Sequence, residues 1–296
     1  TVTIGTANLQ SQIPATQNAV YSYGQTVYEP GQIGTSGYIV RLVYKRFNAI
    51  DDYTGALDWD VYLANSTSPG FVTSNLDQIA IGDFTQVFDG QIEVTPTEVI
   101  VNFDTPFFYN GTDKLAIAVN EVTLGEHFSI LKGSNYALGS GLSPTKAFIN
   151  FTTPTPIDPA SPSSQQVSSY AYQPNVDIIF SACLWPTAIT ATNPTTTTMQ
   201  VGWTASALNE TAWEVEAVPT GEAQGTGVVQ SAGTNPYTFT GLDHSTVYDF
   251  YVRSDCGSNE YSEWKNFGTG TTACGVNTCL DLDFDSYNHL EEPRCF

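Results

Sequence analysis

Apolar and polar residues alternate with a period of two along most of this chain, and turn residues interrupt the alternation about every 8–12 positions. Helical periodicity is almost absent. The alternation is clearest at Trp59, Val61 and Leu63, at Val99, Val101 and Phe103, and at Leu115, Ile117 and Val119. Asn110-Gly111 supplies a strong turn signal just before the last of these segments. The pattern predicts an all-β chain of the sandwich or barrel type.

The composition changes along the 296 residues. We predict a jelly-roll-like β-sandwich over residues 1–182, an immunoglobulin-like sandwich over 183–272, and the incomplete start of a third module, or a tail, over 273–296. Within the first segment, residues 152–169 are rich in Pro and Ser and are predicted to form a long loop. The apolar run after this loop predicts a closing strand at 174–181.

The second segment contains several short predicted strands and most of the tryptophans. The clearest strands are Thr198–Trp203, Ala212–Val218, Tyr237–Thr240, Val247–Ser254 and Glu263–Thr269. With Trp203 on the second strand, Trp213 on the third, and the run Gly241–Arg253, this segment resembles a fibronectin type III domain. The resemblance implies a tyrosine corner within that run, in which a Tyr hydroxyl bonds the backbone a few residues upstream. His244 stands where the family often has Pro.

The flanks of the second segment resemble modules of secreted multidomain proteins of the Bacteroidota. There a Cys precedes the first strand, as Cys183 does, and another follows the corner, as Cys256 does. This resemblance implies a Cys183–Cys256 disulfide. The first segment resembles an N-terminal β-sandwich of the same proteins through residues 21–28, 59–63, 85–90 and 105–112, and no chemistry is attached to that resemblance.

The third segment is similar to the opening of MAM-like or adhesin-type jelly rolls, through Cys279–Tyr287 and Pro293–Phe296. So short a segment cannot bury a core by itself. We therefore expect the chain to be part of a longer multidomain polypeptide.

The charge of the chain is strongly acidic, with 9 Lys and Arg against 30 Asp and Glu and a net charge of −21. Because a phosphate backbone needs clustered cations, nucleic-acid binding is excluded, and an anionic membrane surface is disfavoured for the same reason. No apolar run is long enough to span a bilayer, so direct membrane insertion is not expected. The few charged residues and the many polar uncharged ones are typical of a secreted or cell-surface β protein whose signal peptide has been removed.

Five cysteines lie at positions 183, 256, 274, 279 and 295. In an exported chain we expect disulfides and one Cys left over. We assign Cys183, Cys256, Cys279 and Cys295 to disulfides and leave the partner of Cys274 open.

Calcium is the cofactor that the acidic residues suggest. Asp281, Asp283 and Asp285 alternate on one predicted strand, and hard carboxylate oxygens suit Ca²⁺. The alternative is a solvated polar face, since the EF-hand glycine and distal glutamate are missing. Asp51-Asp52 with Asp58 and Asp60 form a second acidic cluster with the same two interpretations.

Tyrosines could provide a flat platform on which sugar rings stack. Tyr21, Tyr23 and Tyr28 are the foremost candidates, within a wider set of Tyr38, Tyr44, Tyr53, Tyr170 and Tyr172. The alternative is ordinary strand tyrosines with one buried face.

No catalytic constellation emerges from the sequence. Glu126-His127 and Ser129 are adjacent polar residues, whereas nucleophile, base and orienting group normally converge from separate elements. We therefore predict a non-catalytic adhesin-type scaffold whose loops bind an extracellular glycan or a surface protein. One alternative is a set of carbohydrate-targeting domains of a secreted hydrolase whose catalytic domain lies elsewhere. The other is that the first domain is itself a hydrolase or lyase.

Overall fold

The computed structural model of the chain describes residues 1–11, 19–47, 57–72, 77–123, 131–138, 141–152, 155–162, 164 and 166–275. The chain divides into two compact units, Thr1–Ala182 and Cys183–Phe296. All strand pairs in the described residues are antiparallel, so the fold is all-β, as the alternation predicts. No helix in the described residues is long and apolar enough to cross a membrane.

The first unit consists of short antiparallel strands with one turn of α-helix and one of 3₁₀ helix. Its described elements are, in chain order, β1 (Val2–Ile4), β2 (Leu9–Ser11), β3 (Tyr21–Tyr28), α1 (Pro30–Ile33), β4 (Gly37–Lys45), β5 (Asp58–Ser66), a 3₁₀ helix (Ile81–Asp83), β6 (Thr85–Gln91), β7 (Glu93–Val94), β8 (Glu98–Tyr109), β9 (Lys114–Glu121), β10 (Leu131–Asn135), β11 (Thr145–Asn150), β12 (Gln166–Tyr170), β13 (Tyr172–Pro174) and β14 (Val176–Ser181).

Two large sheets give this unit its topology. Their strand orders are β1-β14-β4-β8-β7 and β12-β11-β3-β9-β5-β6, and a smaller sheet has the order β13-β10-β2. The strands β1, β3, β4, β5, β6, β8, β9 and β14 form the central framework. One sheet has the order β1-β14-β4-β8, which are the first, eighth, third and sixth of these strands along the chain. The other has the order β3-β9-β5-β6, which are the second, seventh, fourth and fifth. This is the double Greek-key order of a jelly roll, so the predicted fold is confirmed.

The main core of the first unit lies between the two large sheets. It contains the apolar members of all three alternating segments, each no more than 2% exposed: Trp59, Val61 and Leu63; Val99, Val101 and Phe103; Leu115, Ile117 and Val119. Leu42 and Tyr44 of β4 and Ile178 of β14 belong to the same core. They lie in one sheet with the β8 residues and face the β5 and β9 residues of the other sheet. Each such side chain contributes roughly 1.5–3 kcal/mol by leaving water.

The second face of the six-stranded sheet is covered as well. The strand β3 is buried along its whole length, and Ala116 and Ala118, which alternate with the core residues of β9, are fully buried. Phe71, Ile79 and Leu138 from the connecting segments pack on this face. The sheet therefore has two buried faces. The alternation of apolar and polar residues in the sequence predicts burial of the inner face only.

Polar contacts hold the segment before the 3₁₀ helix against this covered face. The buried Gln25 side chain donates from Nε2 to the Ile79 carbonyl over 2.7 Å, and the Ile79 N–H donates to Gln25 Oε1 over 2.9 Å. Lys146 on β11 is fully buried and forms an ion pair with Asp77. Because a buried polar group without a partner is costly, the sheet and this segment stabilise each other.

The end of the predicted long loop is a strand. The loop was expected over 152–169, but β12 begins at Gln166 and pairs with β11 at the edge of the six-stranded sheet. Its residues are mostly polar, since only Val167 is aliphatic, and an edge strand of this kind shows no apolar alternation. The closing strand is present as β14, which pairs with both β1 and β4.

The second unit is a sandwich of two sheets. Its described strands are β15 (Thr187–Thr192), β16 (Thr198–Thr204), β17 (Trp213–Pro219), β18 (Gln230–Ala232), β19 (Tyr237–Thr240), β20 (Val247–Ser254) and β21 (Lys265–Thr271). The sheet orders are β15-β16-β19 and β18-β17-β20-β21. Trp203 and Trp213 meet edge to face in the core with ring centroids 5.3 Å apart, one from each sheet. The five strands expected from the sequence are present, with ends shifted by no more than two residues.

Two cross-links expected in the second unit are present. The Asp243 N–H donates to the Tyr248 hydroxyl over 3.0 Å, which is the backbone contact of a tyrosine corner. Cys183 and Cys256 form a disulfide across a sequence separation of 73 residues. The corner fixes the entry to β20, and the disulfide ties the segment after β20 to the start of the unit.

Gln25→Ala is expected to lower the free energy of unfolding by about 3 kcal/mol, because it leaves the Ile79 N–H and carbonyl without partners under the covering segment. Urea denaturation of the full chain followed by circular dichroism measures this loss. Gln91→Ala, at an exposed position of β6, is the matched control and should change stability by less than about 0.5 kcal/mol. Equal effects of the two variants would contradict the role given to Gln25.

Tyr248→Phe is expected to cost about 1 kcal/mol, the usual value of one hydrogen bond, because it removes the acceptor of the Asp243 N–H. Tryptophan fluorescence during urea unfolding reports on this unit, which holds Trp185, Trp203, Trp213 and Trp264. Tyr251→Phe on the same strand is the control and should leave the midpoint unchanged. A neutral Tyr248→Phe would show that the corner does not stabilise the strand entry.

Candidate binding cleft of the jelly roll

The structure buries the tyrosines that were expected to stack on sugars. Tyr23 and Tyr28 are fully buried, and Tyr21 is 5% exposed. Tyr23 packs on Phe148 with ring centroids 5.9 Å apart, and Tyr28 donates its hydroxyl hydrogen to the Pro174 carbonyl. The prediction of an exposed platform from these three rings is therefore wrong. Tyr21 and Tyr23 pack under segments that cover the outer face of the sheet, and Tyr28 lies in the main core between the two large sheets.

Several other predicted site residues lie outside the described residues. These are Asp281, Asp283 and Asp285, Cys279 and Cys295, Asp51 and Asp52, Tyr53, and the set Glu126, His127 and Ser129. Cys274 is disulfide-bonded. His244 is exposed in the corner turn.

A cleft of about 580 Å³ opens in the first unit, within the size range of small-ligand sites. Its walls are residues 4–7 with Leu9, residues 134–136 at the end of β10, and residues 173–174 of β13, and α1 contributes Gln32. These segments are far apart in sequence and meet because β13 and β2 both pair with β10.

The floor of the cleft is a pair of interlocked side-chain amides. Gln32 Nε2 donates to Gln173 Oε1 over 2.8 Å, and Gln173 Nε2 donates to the Val27 carbonyl over 2.6 Å and to Gln32 Oε1 over 3.3 Å. The Glu29 N–H also donates to Gln32 Oε1, as part of the capping box of α1. These bonds orient both amides in advance and leave the second N–H of Gln32 for a ligand.

One wall is tied to the body of the jelly roll through Asn175. Its Nδ2 donates to the Ala7 carbonyl over 2.8 Å, and its Oδ1 accepts from the Ser134 hydroxyl over 2.7 Å. The Ala7 N–H donates to Ser134 Oγ over 3.0 Å. Gly5 has a φ of +81°, and a Cβ there would lie 2.2 Å from Asn175 Oδ1. The wall can therefore follow its path only with glycine at this position.

The described residues that line the cleft include no acidic or basic side chain, although the chain carries a net charge of −21. Burial and the Glu29 carboxylate raise the pKa of the Tyr136 hydroxyl above its ordinary value, so this group stays neutral. Ile4, Leu9 and Pro174 add apolar surface. The arrangement suits an uncharged ligand that combines hydroxyl or amide groups with apolar faces.

Sequence reasoning missed the residues of this cleft. Gln32 and Gln173 are 141 positions apart and belong to no motif. The spacing of Glu29 and Gln32 around Pro30 could have indicated a helix start, but nothing in the sequence indicates that β13 lies beside it.

A second polar site lies on the outer side of the six-stranded sheet, at the β5–β6 edge. Asp60 is half-buried and contacts the side chains of Asp89, Asn120 and Tyr62, whereas Asp58 is exposed. Burial, and then the Asp89 carboxylate, raise the pKa of Asp60 above its ordinary value. Burial and the two carboxylates raise the pKa of Tyr62 to about 12. The described residues contain no group of three or more His, Cys, Asp or Glu side chains that could hold a metal ion.

Gly5→Ala is expected to destabilise the jelly roll by about 1–3 kcal/mol, because the new Cβ would meet Asn175 Oδ1 at a positive φ. Differential scanning calorimetry of the full chain measures this. Gly31→Ala is the control, since a Cβ there meets nothing within 4 Å and alanine favours the helix. If Gly5→Ala were as stable as Gly31→Ala, the wall would not be constrained as described.

Comparison with known proteins concerns the second unit. A family model described as fibronectin type III domain matches residues 185–267. Among solved structures, the chain is similar to the fn3 domain of human collagen alpha-1(XX) chain, with 23% identity, 32% of this chain and 89% of that chain covered, and a TM-score of 0.27. It is also similar to the FN5 domain of Drosophila Lar, with 18% identity, 32% and 100% covered, and a TM-score of 0.28. No curated protein matches the chain. Residues 185–267 therefore form a fibronectin type III domain.

Proposed function

We propose that this chain is a non-catalytic extracellular adhesion protein, in which the jelly roll binds an uncharged ligand and the fibronectin type III domain is a structural spacer. The observation that carries the proposal is the cleft, whose described lining is a preorganised set of amide and hydroxyl groups without a charged side chain. Its ligand is an extracellular glycan or an uncharged segment of a surface protein.

The lining of the cleft favours binding over catalysis. General acid, base and nucleophilic catalysis use His, Asp, Glu, Lys or Cys in most enzymes. None of these side chains is among the residues that the structure describes in the cleft lining. Gln32 and Gln173 can donate and accept hydrogen bonds but cannot exchange protons at neutral pH. They hold a ligand in place without reacting with it.

An extracellular location agrees with the cysteine chemistry of the second unit. The Cys183–Cys256 disulfide persists in oxidising compartments, and Cys274 is disulfide-bonded too. The fibronectin type III domain is then a spacer between the binding domain and the rest of the polypeptide. In our proposal the chain belongs to a longer secreted or cell-surface polypeptide, as its resemblance to modular Bacteroidota proteins implies.

The uncharged lining also favours a second role, as a targeting domain for a secreted hydrolase whose catalytic domain lies outside this chain. Structural polysaccharides are mostly neutral, and a cleft without charges would suit them. Retention of the chain on insoluble neutral polysaccharide, with no binding to intact cells, would favour this role over adhesion.

Binding of the full chain to an array of neutral and acidic glycans tests the proposed function. We expect binding to a subset of neutral glycans, with no product released. Thr6→Trp, in the cleft wall, should weaken binding at least tenfold by filling the cleft, whereas Thr35→Trp, at an exposed position elsewhere in the same unit, should not. Release of any product, or absence of binding both to the array and to cell surfaces, would contradict the proposal.

A further inference from the structure

Two carboxylates face each other across neighbouring strands of the six-stranded sheet. Asp60 on β5 and Asp89 on β6 are directly opposite in the strand register, and their carboxyl groups are in hydrogen-bonding contact. Like charges directly opposite in a sheet repel each other and destabilise the pairing. Something must neutralise this pair when both groups are ionised.

The protein supplies little of that neutralisation. Among the described residues, no Lys, Arg or His forms an ion pair with either carboxylate. Asp60 accepts a hydrogen bond from Asn120 Nδ2 over 3.3 Å and contacts the Tyr62 hydroxyl. The Asp89 N–H donates to Asp104 Oδ2 over 3.2 Å, which brings further negative charge to the same edge.

The neighbouring Asn120 supplies an independent sign of a missing ligand. Its side chain is directed at Asp60, the residue opposite it on β5. Asn120 is only 3% exposed, and its amide oxygen has no hydrogen-bond donor in the described part of the chain. A buried acceptor without a partner costs about 1–3 kcal/mol. Because an amide can turn over about its last bond, the same group can offer its oxygen to a cation beside Asp60.

We propose that Asp60, Asp89 and Asn120 bind a divalent cation of the calcium class at the β5–β6 edge. Carboxylate and amide oxygens are the ligands that Ca²⁺ prefers, and waters can complete its shell at this partly open position. The ion would neutralise the opposed carboxylates and pair the buried amide oxygen of Asn120. It would therefore tie the edge strand β6 to the body of the jelly roll. This site is separate from the cleft and does not depend on the proposed function.

Titration of the chelator-treated full chain with CaCl₂ alone, by calorimetry and by thermal unfolding, tests the site. We expect one binding event with a Kd of roughly 10⁻⁴ to 10⁻³ M, the range of extracellular calcium modules, and a rise of several degrees in the melting temperature of the jelly roll. Asp60→Asn and Asp89→Asn should each weaken binding at least tenfold. Asp83→Asn removes an exposed carboxylate of the same unit and should leave binding unchanged.

The Asn variants are expected to fold at least as well as the parent chain without calcium, because each removes the repulsion between the two carboxylates. Loss of the calcium response in them would therefore reflect loss of the ligand. No calcium response in the parent chain would overturn the site. So would a response that survives both variants and disappears when Asp281, Asp283 and Asp285 are all changed to Asn, since the ion would then lie in the C-terminal segment.

Discussion

Burial of both faces of the six-stranded sheet is the constraint on which the jelly roll depends. The inner face packs against the second large sheet, as in any sandwich, and connecting segments close the outer face. An outer face closed in this way contains polar groups that lose access to water, and each of them needs a partner. Gln25 meets this need by pairing with the backbone of Ile79, and Lys146 does so by its ion pair with Asp77. The sheet and its cover are thus one cooperative structure.

The same constraint decides where a ligand can bind. In an open sandwich Tyr21 and Tyr23 of β3 would project from the outer face of the sheet and be available for stacking. Here Tyr23 lies against Phe148 under the cover, so the centre of the sheet is closed to ligands. A polar cleft remains where the short strands β2, β10 and β13 meet α1, and its lining includes the side-chain amides of Gln32 and Gln173. The cleft therefore lies at the ends of these short strands and not on the face of the large sheet.

Much of the fold follows from the sequence because apolar alternation reports directly on burial. Trp59, Val61 and Leu63 were expected to be buried and are. The fibronectin type III domain is still more predictable, since its Trp residues and its corner Tyr248 lie at fixed places along short strands. Buried polar residues are much harder to predict. The sequence of β3 is as polar as that of an exposed strand, and only the segments packed over it, from distant parts of the chain, show that it is buried.

The candidate sites were less predictable than the fold, because each depends on side chains brought together by strand register. Asp60 was singled out with its sequence neighbours Asp51, Asp52 and Asp58, as an acidic cluster near a loop. Its actual neighbours are Asp89 and Asn120, which lie opposite it on two adjoining strands. Sequence proximity could not indicate Asp89 or Asn120 as neighbours of Asp60, since a sheet joins residues across strands rather than along them.

In the second unit, buried carboxylates are paired with hydrogen-bond donors that the protein itself supplies. Glu216 is fully buried and accepts hydrogen bonds from Gln224 Nε2 and from the N–H groups of Gly225 and Gly227. Glu214 is paired with the Arg253 guanidinium, which is itself stacked on Tyr261 and Trp264. In the described part of the chain, neither an arginine nor such a loop pairs with Asp60 and Asp89. Their charge is concentrated where the protein offers one amide and one phenol, and that contrast, more than the number of acids in the chain, is the physical reason to place a cation between them.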